Sequence, residues 1–428
     1  MTSSAVATDD ARPGVGASRP ELTALALSFV YFFSVLGAYY VIRPVREQIG
    51  AAAGGSAALP TIWLIVFVVM LLMTPVYGAL VARFPRRVFI PVVYAFFALG
   101  MVLMSTVFDH HSLTPRLATA FYVWVSVFNL FVVAVFWSYM ADIFTAEQAR
   151  RLYGAIGLGG TLGAICGPLL AISLVHRIGV HGLMYVSATL LLLAMFTAIA
   201  LGRWARRHGR REAALENQII GGSFWAGAKQ VMTHPFLRRM ALLLLLSDMI
   251  GTVLYALNLD LGASLFQTPE DRTEFFSRID LYTNLLQVGL QLLVAPWLLT
   301  RFGPTVTLML AGVINTIGLF FLATMPGTLW LMVALVVSRA CAYGLVMPAR
   351  ETLYTRVDRE ARFKAKGFID TAVWRGGDVM ATNILILLRS AGAGILQLGL
   401  ICVGTALLGV YLTRNIEKLR GLQQEKTP

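Results

Sequence analysis

Nine long stretches of the chain carry no charged residue: 22–42, 60–82, 88–108, 117–141, 152–175, 182–202, 281–300, 302–325 and 392–413. They alternate with short polar segments. An α-helix rises 1.5 Å per residue and the hydrocarbon layer is about 30 Å thick, so roughly 20 apolar residues cross it. Three further apolar stretches carry charges inside them: 240–267 with Asp248 and Asp260, 328–347 with Arg339, and 367–388 with Asp370, Arg375 and Asp378. Apolar residues all round a helix indicate burial in protein or lipid, not a half-wet surface. The pattern predicts an all-α membrane protein with twelve transmembrane helices.

The longest polar stretch, 203–239, divides these runs six and six, and its 221–232 portion reads as an interfacial helix. The expected organisation is a cytosolic tail (1–21), an N-terminal six-helix bundle (22–202), a basic cytosolic linker (203–239), a C-terminal six-helix bundle (240–413) and a cytosolic tail (414–428). A faint repeat runs through the two halves. Arg83-Phe84-Pro85-Arg86-Arg87 follows the second span and Arg301-Phe302-Gly303 the eighth; Glu147-Gln148-Ala149-Arg150 follows the fourth and Arg359-Glu360-Ala361-Arg362 the tenth. Two related six-helix halves joined by a basic loop resemble the pseudo-symmetric 6+6 major facilitator fold.

Composition agrees. Apolar residues make up 57% of the 428 positions and charged residues 13%, with a mean hydropathy of +0.72. Soluble domains are about 25% charged, so a water-soluble catalyst is excluded. The net charge of +13 first suggests an anionic partner. Its placement says otherwise: with the N-terminus in the cytosol, 26 Lys and Arg fall on the cytosolic side and 7 outside. That bias sets both termini inside a bacterial cytoplasmic membrane and leaves no role for nucleic acid. No signal peptide is recognised. Cys166, Cys341 and Cys402 sit in apolar runs as core residues. No cofactor, metal site or catalytic motif is expected, and the chain reads as a monomer in the lipid bilayer that is not an enzyme.

Charges inside spans cost about 2.5–3.5 kcal/mol each on insertion scales and mark function. At the end of the first span Tyr39, Arg43 and Arg46 or Glu47 fall at i, i+4 and i+7 or i+8 and share a helical face. Arg43 and Glu47 can pair at i,i+4, whereas neighbouring Arg46 and Glu47 are not expected to face each other. Two arginines here oppose the positive-inside trend and form a candidate anion anchor, with Pro44 bending the helix. Arg375 and Asp378 are spaced to pair, and with Arg339 and Asp370 they are candidate gates or clamps. Asp280, Asn284 and Gln291 fall on one helical face. Asp248 and Asp260 are the candidate proton carriers. Gly159, Gly163 and Gly167 form a small-residue seam in the fifth span.

These segments resemble the ATP/ADP translocase family of intracellular bacteria and plastids, with its wider set of bacterial relatives. The resemblance rests on Arg46-Glu47, on Phe136-Trp137 with Ala149-Arg150-Arg151-Leu152-Tyr153 and Gly157-Leu158-Gly159, and on Pro348-Ala349-Arg350-Glu351 with Lys366-Gly367-Phe368-Ile369-Asp370. It implies that Arg46 and Arg350 contact substrate phosphate or a gating partner, assisted by Glu351. Family members keep a carboxylate within the fourth helix; Asn129 is the nearest polar group here. The candidate binding set is therefore Tyr39, Arg43, Arg46, Glu47, Asn129, Trp137, Arg350 and Glu351. Asp248, Asp260, Asp280, Arg339, Asp370, Arg375 and Asp378 are the coupling or gating set.

The reading is a secondary transporter that moves an organic anion by alternating access. A phosphorylated solute fits best, and a nucleotide exchanged in ATP/ADP fashion lies within that class. The rivals are a proton-coupled symporter or efflux pump for another solute, a membrane-embedded sensor or assembly partner, and a carrier of lipid-linked substrates.

Overall fold

The computed structural model describes residues 19–110, 114–207, 224–357, 365–414 and 416–419. Among these residues there is no strand. The helices are α1 (Arg19–Ala52), α2 (Leu59–Arg83), α3 (Arg86–His110), α4 (Pro115–Ile143), α5 (Ala146–Arg207), α6 (Phe224–Thr233), α7 (Pro235–Leu265), α8 (Pro269–Gly289), α9 (Ala295–Thr324), α10 (Thr328–Cys341), α11 (Met347–Tyr354), α12 (Trp374–Ser390) and α13 (Ile395–Thr413). Single π-helical turns, Leu290–Val294 and Ala342–Val346, join α8 to α9 and α10 to α11, and a third, Ile369–Val373, leads into α12. Of the expected 221–232 helix, 224–232 lies in α6.

Among the described residues, nine helical segments are long and apolar enough to cross a membrane. Two of them are double. The 62-residue α5 breaks at Gly179 (φ 68°), between the runs 152–175 and 182–202. The segment Pro269–Thr324 breaks at Gly303 (φ 79°), two residues past Arg301, the charge that separates 281–300 from 302–325. These positive φ values favour glycine, so each break is written into the sequence. The nine segments thus hold eleven of the apolar runs. The remaining run, 367–388, forms the third π turn and most of α12, and Asp370, Arg375 and Asp378 make it less apolar than the other eleven.

Apolar exposure is inverted relative to a soluble protein. Leu72, Val92, Phe96, Leu293 and Tyr411 are each more than half exposed, as helices facing lipid require. The buried aromatic side chains instead face inward. Tyr31, Phe97, Phe128 and Phe136 centre the core of α1–α5, and Leu254, Phe276, Leu335 and Leu385 that of the second half. Ala51 and Leu59, either side of the α1–α2 turn, join the second cluster, so apolar packing crosses between the halves at the end remote from the chain termini.

The glycine seam locks the first half. A β-carbon at Gly159 or Gly163 would collide with the α1 backbone at Phe29 or Phe33, and one at Gly167 would lie 2.7 Å from Tyr40 Cβ. α1 and α5 therefore touch backbone to backbone, the close approach that small residues permit in lipid. This contact aims the end of α1 at the interior. α1 runs unbroken through Pro44.

Candidate functional site

Between the halves lies a cavity of about 540 Å³, lined by α1, α2, α4 and α5 on one side and by α7, α8, α10–α12 and the Ala342–Val346 turn on the other. Five arginines line it: Arg43, Arg46, Arg339, Arg350 and Arg375. Tyr39, Asn129, Asp248 and Asp378 also line it. The expected site residues therefore largely converge, although they come from distant parts of the chain.

The arginines differ in how they are held. Arg43 Nε donates to Glu47 Oε1 at 3.1 Å, and its Nη1 reaches Asp280 Oδ1 at 3.3 Å. Arg339 Nη1 approaches that same Asp280 oxygen at 3.2 Å. Asp280 is 1% exposed, and it links α1 to α10 through α8. Arg350 donates to Asp370 at 2.9 Å and to Glu351 at 3.3 Å, and Glu351 is also paired with Lys366 at 2.7 Å. Arg375 pairs with Asp378 at 3.1 Å.

Arg46 is held least. Its Nη2 lies 3.4 Å from Glu47 Oε1, which is already used by Arg43. Its guanidinium sits 4.8 Å from the Tyr122 ring centroid, a cation–π contact, and its Nε is buried without a hydrogen-bond partner. The contact with Glu47 corrects the expectation that the two neighbours cannot meet. Glu47 bends toward Arg43, and the long Arg46 stem reaches back to it.

Four further expectations are corrected. Trp137 does not line the cavity; it packs edge-on against Phe32, which takes the lining position. Glu47 and Glu351, expected among the binding residues, stand behind the lining arginines as counter-ions, a place they share with Asp280 and Asp370 of the gating set, because a desolvated guanidinium needs a carboxylate. Gln291 leaves the face of Asp280 and Asn284: the π turn Leu290–Val294 inserts a residue and shifts the helical phase. Asp260 lies outside the cavity lining, in a contact that closes its far end.

That far end is sealed in two layers. In the inner layer, Tyr122 and Tyr255 share a hydroxyl hydrogen bond of 2.7 Å between α4 and α7. Trp63 Nε1 donates to Tyr122 Oη at 3.2 Å, and the Trp63 ring stacks on Tyr255 with centroids 5.5 Å apart. In the outer layer, Asp260 accepts from the Ser56 backbone N–H and from Ser56 Oγ, both at 2.8 Å, and from Arg389 at 2.7 Å. This joins the α1–α2 turn to α7 and α12. Sequence reasoning missed Trp63, Tyr122 and Tyr255 because an aromatic residue in a span looks the same whether it packs, anchors or seals. It counted Arg389 as an outer-loop charge. The signal for the turn was Gly54-Gly55-Ser56 before a strong apolar run.

Gly55 has φ +57°, and a β-carbon there would fall 2.6 Å from Asp260 Oδ1. Gly55→Ala is therefore expected to break the outer layer. A left-handed conformation costs a non-glycine residue about 1–2 kcal/mol, and the added methyl displaces the carboxylate. A cysteine at Ser126, which lines the cavity, should label several-fold faster with an impermeant maleimide from the face opposite the termini. Unchanged labelling would show that this contact does not hold the seal.

A bundle of membrane-spanning helices in two halves around an arginine-lined cavity defines a membrane transporter. The Major Facilitator Superfamily model matches residues 22–381, and the chain belongs to that superfamily. Among curated proteins it is similar to ADP,ATP carrier protein 1 of Chlamydia pneumoniae, 23% identical over 446 aligned positions that cover 87% of this chain and 86% of the relative. The corresponding carrier of Chlamydia trachomatis serovar D is also 23% identical, with 87% and 84% coverage. Among solved structures, the nucleoside transporter NupG superposes with a TM-score of 0.61 at 16% identity, covering 94% of this chain and 99% of that one. The POT family transporter PepTSo gives 0.64 at 12% identity, with 92% and 97% coverage.

Proposed function

We propose that this protein is a secondary transporter of a phosphorylated organic anion, with an adenine nucleotide as the leading candidate, working by exchange. The single observation that carries the reading is Arg46: a buried guanidinium, weakly held, with an unpartnered Nε beside a cavity that four more arginines line. The planar fork of arginine binds phosphate bidentately. The aromatic side chains of Tyr39, Tyr40, Trp63, Tyr122, Tyr255, Tyr343 and Trp374 line the same space and offer faces on which a planar ring can stack. The relatives named as ADP,ATP carriers support a nucleotide substrate.

Among the described residues, the side-chain contacts between the halves gather from the middle of α1, where Asn284 Nδ2 donates to Ala164 O at 2.6 Å, toward its end and away from the chain termini. They include the two sealing layers, the Arg43–Asp280 pair and the 2.7 Å contact of His176 with Glu274. At the other end the lining reaches Arg350, four residues before the end of α11, about 6 Å along the axis. With the termini in the cytosol of a bacterial inner membrane, as the distribution of basic residues directs, this conformation faces inward.

The test is a thermal-shift series on the purified protein with ATP, ADP, pyrophosphate and sugar phosphates, followed by counterflow in proteoliposomes. A ligand at 100 times its Kd stabilises the folded state by about 2.7 kcal/mol. ADP is expected to raise the melting temperature, and radiolabelled ATP should enter only vesicles loaded with ADP. No shift with any phosphorylated anion, together with no counterflow, would sink the reading.

A further inference from the structure

Asp248 lines the cavity from α7, and its Oδ2 is buried without a hydrogen-bond partner. Asp378 of α12 stands beside it, and Arg375, paired with Asp378 at 3.1 Å, acts on both carboxyls. A β-carbon on Gly377 would lie 2.8 Å from Asp248 Oδ2, so the glycine is what lets that oxygen rest against α12. Asp378 is engaged on both oxygens: Thr252 Oγ1 donates to Oδ1 at 3.1 Å, and Arg375 donates to Oδ2 at 3.1 Å. The two members of this ion pair differ in freedom. The Asp378 side chain is 9% exposed, whereas that of Arg375 is 36% exposed and lines the cavity.

Two adjacent buried carboxyls repel when both are ionised, and a cation or a proton must relieve them. Here Arg375 is that cation, and it is also within the space an anionic ligand would occupy. A phosphate entering the cavity competes with Asp378 for the guanidinium. Once Arg375 turns to the ligand, the carboxyl pair has lost its counter-charge. We propose that Asp248 and Asp378 then take up one proton from the cavity water and share it, so that binding of the anion and binding of a proton are linked through Arg375. When the anion leaves, Arg375 returns to Asp378 and the proton goes back to water. The linkage is reciprocal: whatever the anion does for the proton, the proton does for the anion. The proposal rests on the anion reading above and adds a co-bound ion to it.

Other charged or titratable groups face the pair. Arg46 of α1 acts on Asp378, and Tyr343, from the turn after α10, faces both Asp248 and Arg375. Arg46 makes no direct bond to either carboxyl, and its own turn toward a ligand would withdraw positive charge from Asp378 in the same sense as that of Arg375. Arg375, the cation bonded directly to Asp378 at 3.1 Å, is the group whose movement changes the balance most.

The experiment is infrared difference spectroscopy on the purified full-length protein near neutral pH, reading the carbonyl band of a protonated carboxyl. Pyrophosphate and ADP are the probes. In the wild type, pyrophosphate should raise the band. In Asp248→Asn the rise should be lost. Arg375→Gln should show the band with no ligand, because the counter-charge is gone, while Arg375→Lys, which keeps the charge, should not. A rise that survives in Asp248→Asn overturns the proposal, as does a ligand-free Arg375→Gln without the band. A band in Arg375→Gln, with a wild type that responds to neither probe, supports the proton site and overturns the phosphorylated-anion reading instead.

Discussion

Replacing Arg46 by glutamine is expected to weaken binding of the transported anion by about 30-fold or more while leaving a folded protein in the membrane. Truncating one partner of a desolvated charge pair costs about 2–5 kcal/mol, and 1.4 kcal/mol is tenfold in affinity. The structure separates this loss from a loss of stability. Glu47 keeps its shorter contact with Arg43 when Arg46 is neutralised, so no carboxylate is stranded. Arg46→Lys should recover part of the affinity through charge alone, since an ammonium lacks the bidentate fork. Binding measured from ADP-induced thermal shifts, beside the melting temperature of each ligand-free variant, checks both halves. Wild-type affinity in Arg46→Gln would remove Arg46 from the site.

Arg46 also shows what the sequence made legible. A charge inside a span announces itself because its insertion is expensive, and a basic one at a span's outer end because it opposes the positive-inside trend. That is why Arg43, Arg46, Arg339, Arg375, Asp248 and Asp378 could be picked out and why they converge. The same reasoning cannot say which charge touches ligand and which holds another charge in place. Asp260 and Asp248 looked alike in sequence. One is clasped by Ser56 and Arg389 outside the lining, and the other stands in the cavity with a bare oxygen. The difference is set by partners 129 to 204 residues away, which no local pattern encodes. Phase errors have a local cause. The π turn at Leu290–Val294 adds a residue to the helix and carries Gln291 off the expected face. The breaks at Gly179 and Gly303, by contrast, fall in or within two residues of the gaps between apolar runs, and glycine at positive φ is a backbone requirement and not a packing outcome.

The largest loss of stability is expected at Asp280. Its carboxylate is buried between Arg43 at 3.3 Å and Arg339 at 3.2 Å, and Oδ2 has no partner of its own. Removing the carboxylate leaves two mostly buried guanidiniums facing each other. Breaking a buried ion pair from one side costs about 3–5 kcal/mol, because the remaining charge is uncompensated. Arg43 still has Glu47; Arg339 loses the carboxylate it shares with Arg43. Asp280→Ala should therefore lower the melting temperature by several degrees or more, and Asp280→Asn nearly as much, since an amide keeps the shape and drops the charge. The cause can be isolated with a second substitution. Arg339→Gln in the Asp280→Asn background removes the stranded cation and should restore more than half of the lost stability, a coupling that independent sites do not show. Were the double variant as unstable as the sum of the two single ones, the loss would come from packing rather than charge. The same pair of variants probes the junction of the halves, because Asp280 is where α8 and α10 of one half meet α1 of the other. With that tie cut, the Ser126→Cys probe should label faster from the face opposite the termini, as in Gly55→Ala. Two contacts at different depths would then be seen to hold one seal, and the Arg43–Asp280 pair would be the one an arriving anion can reach.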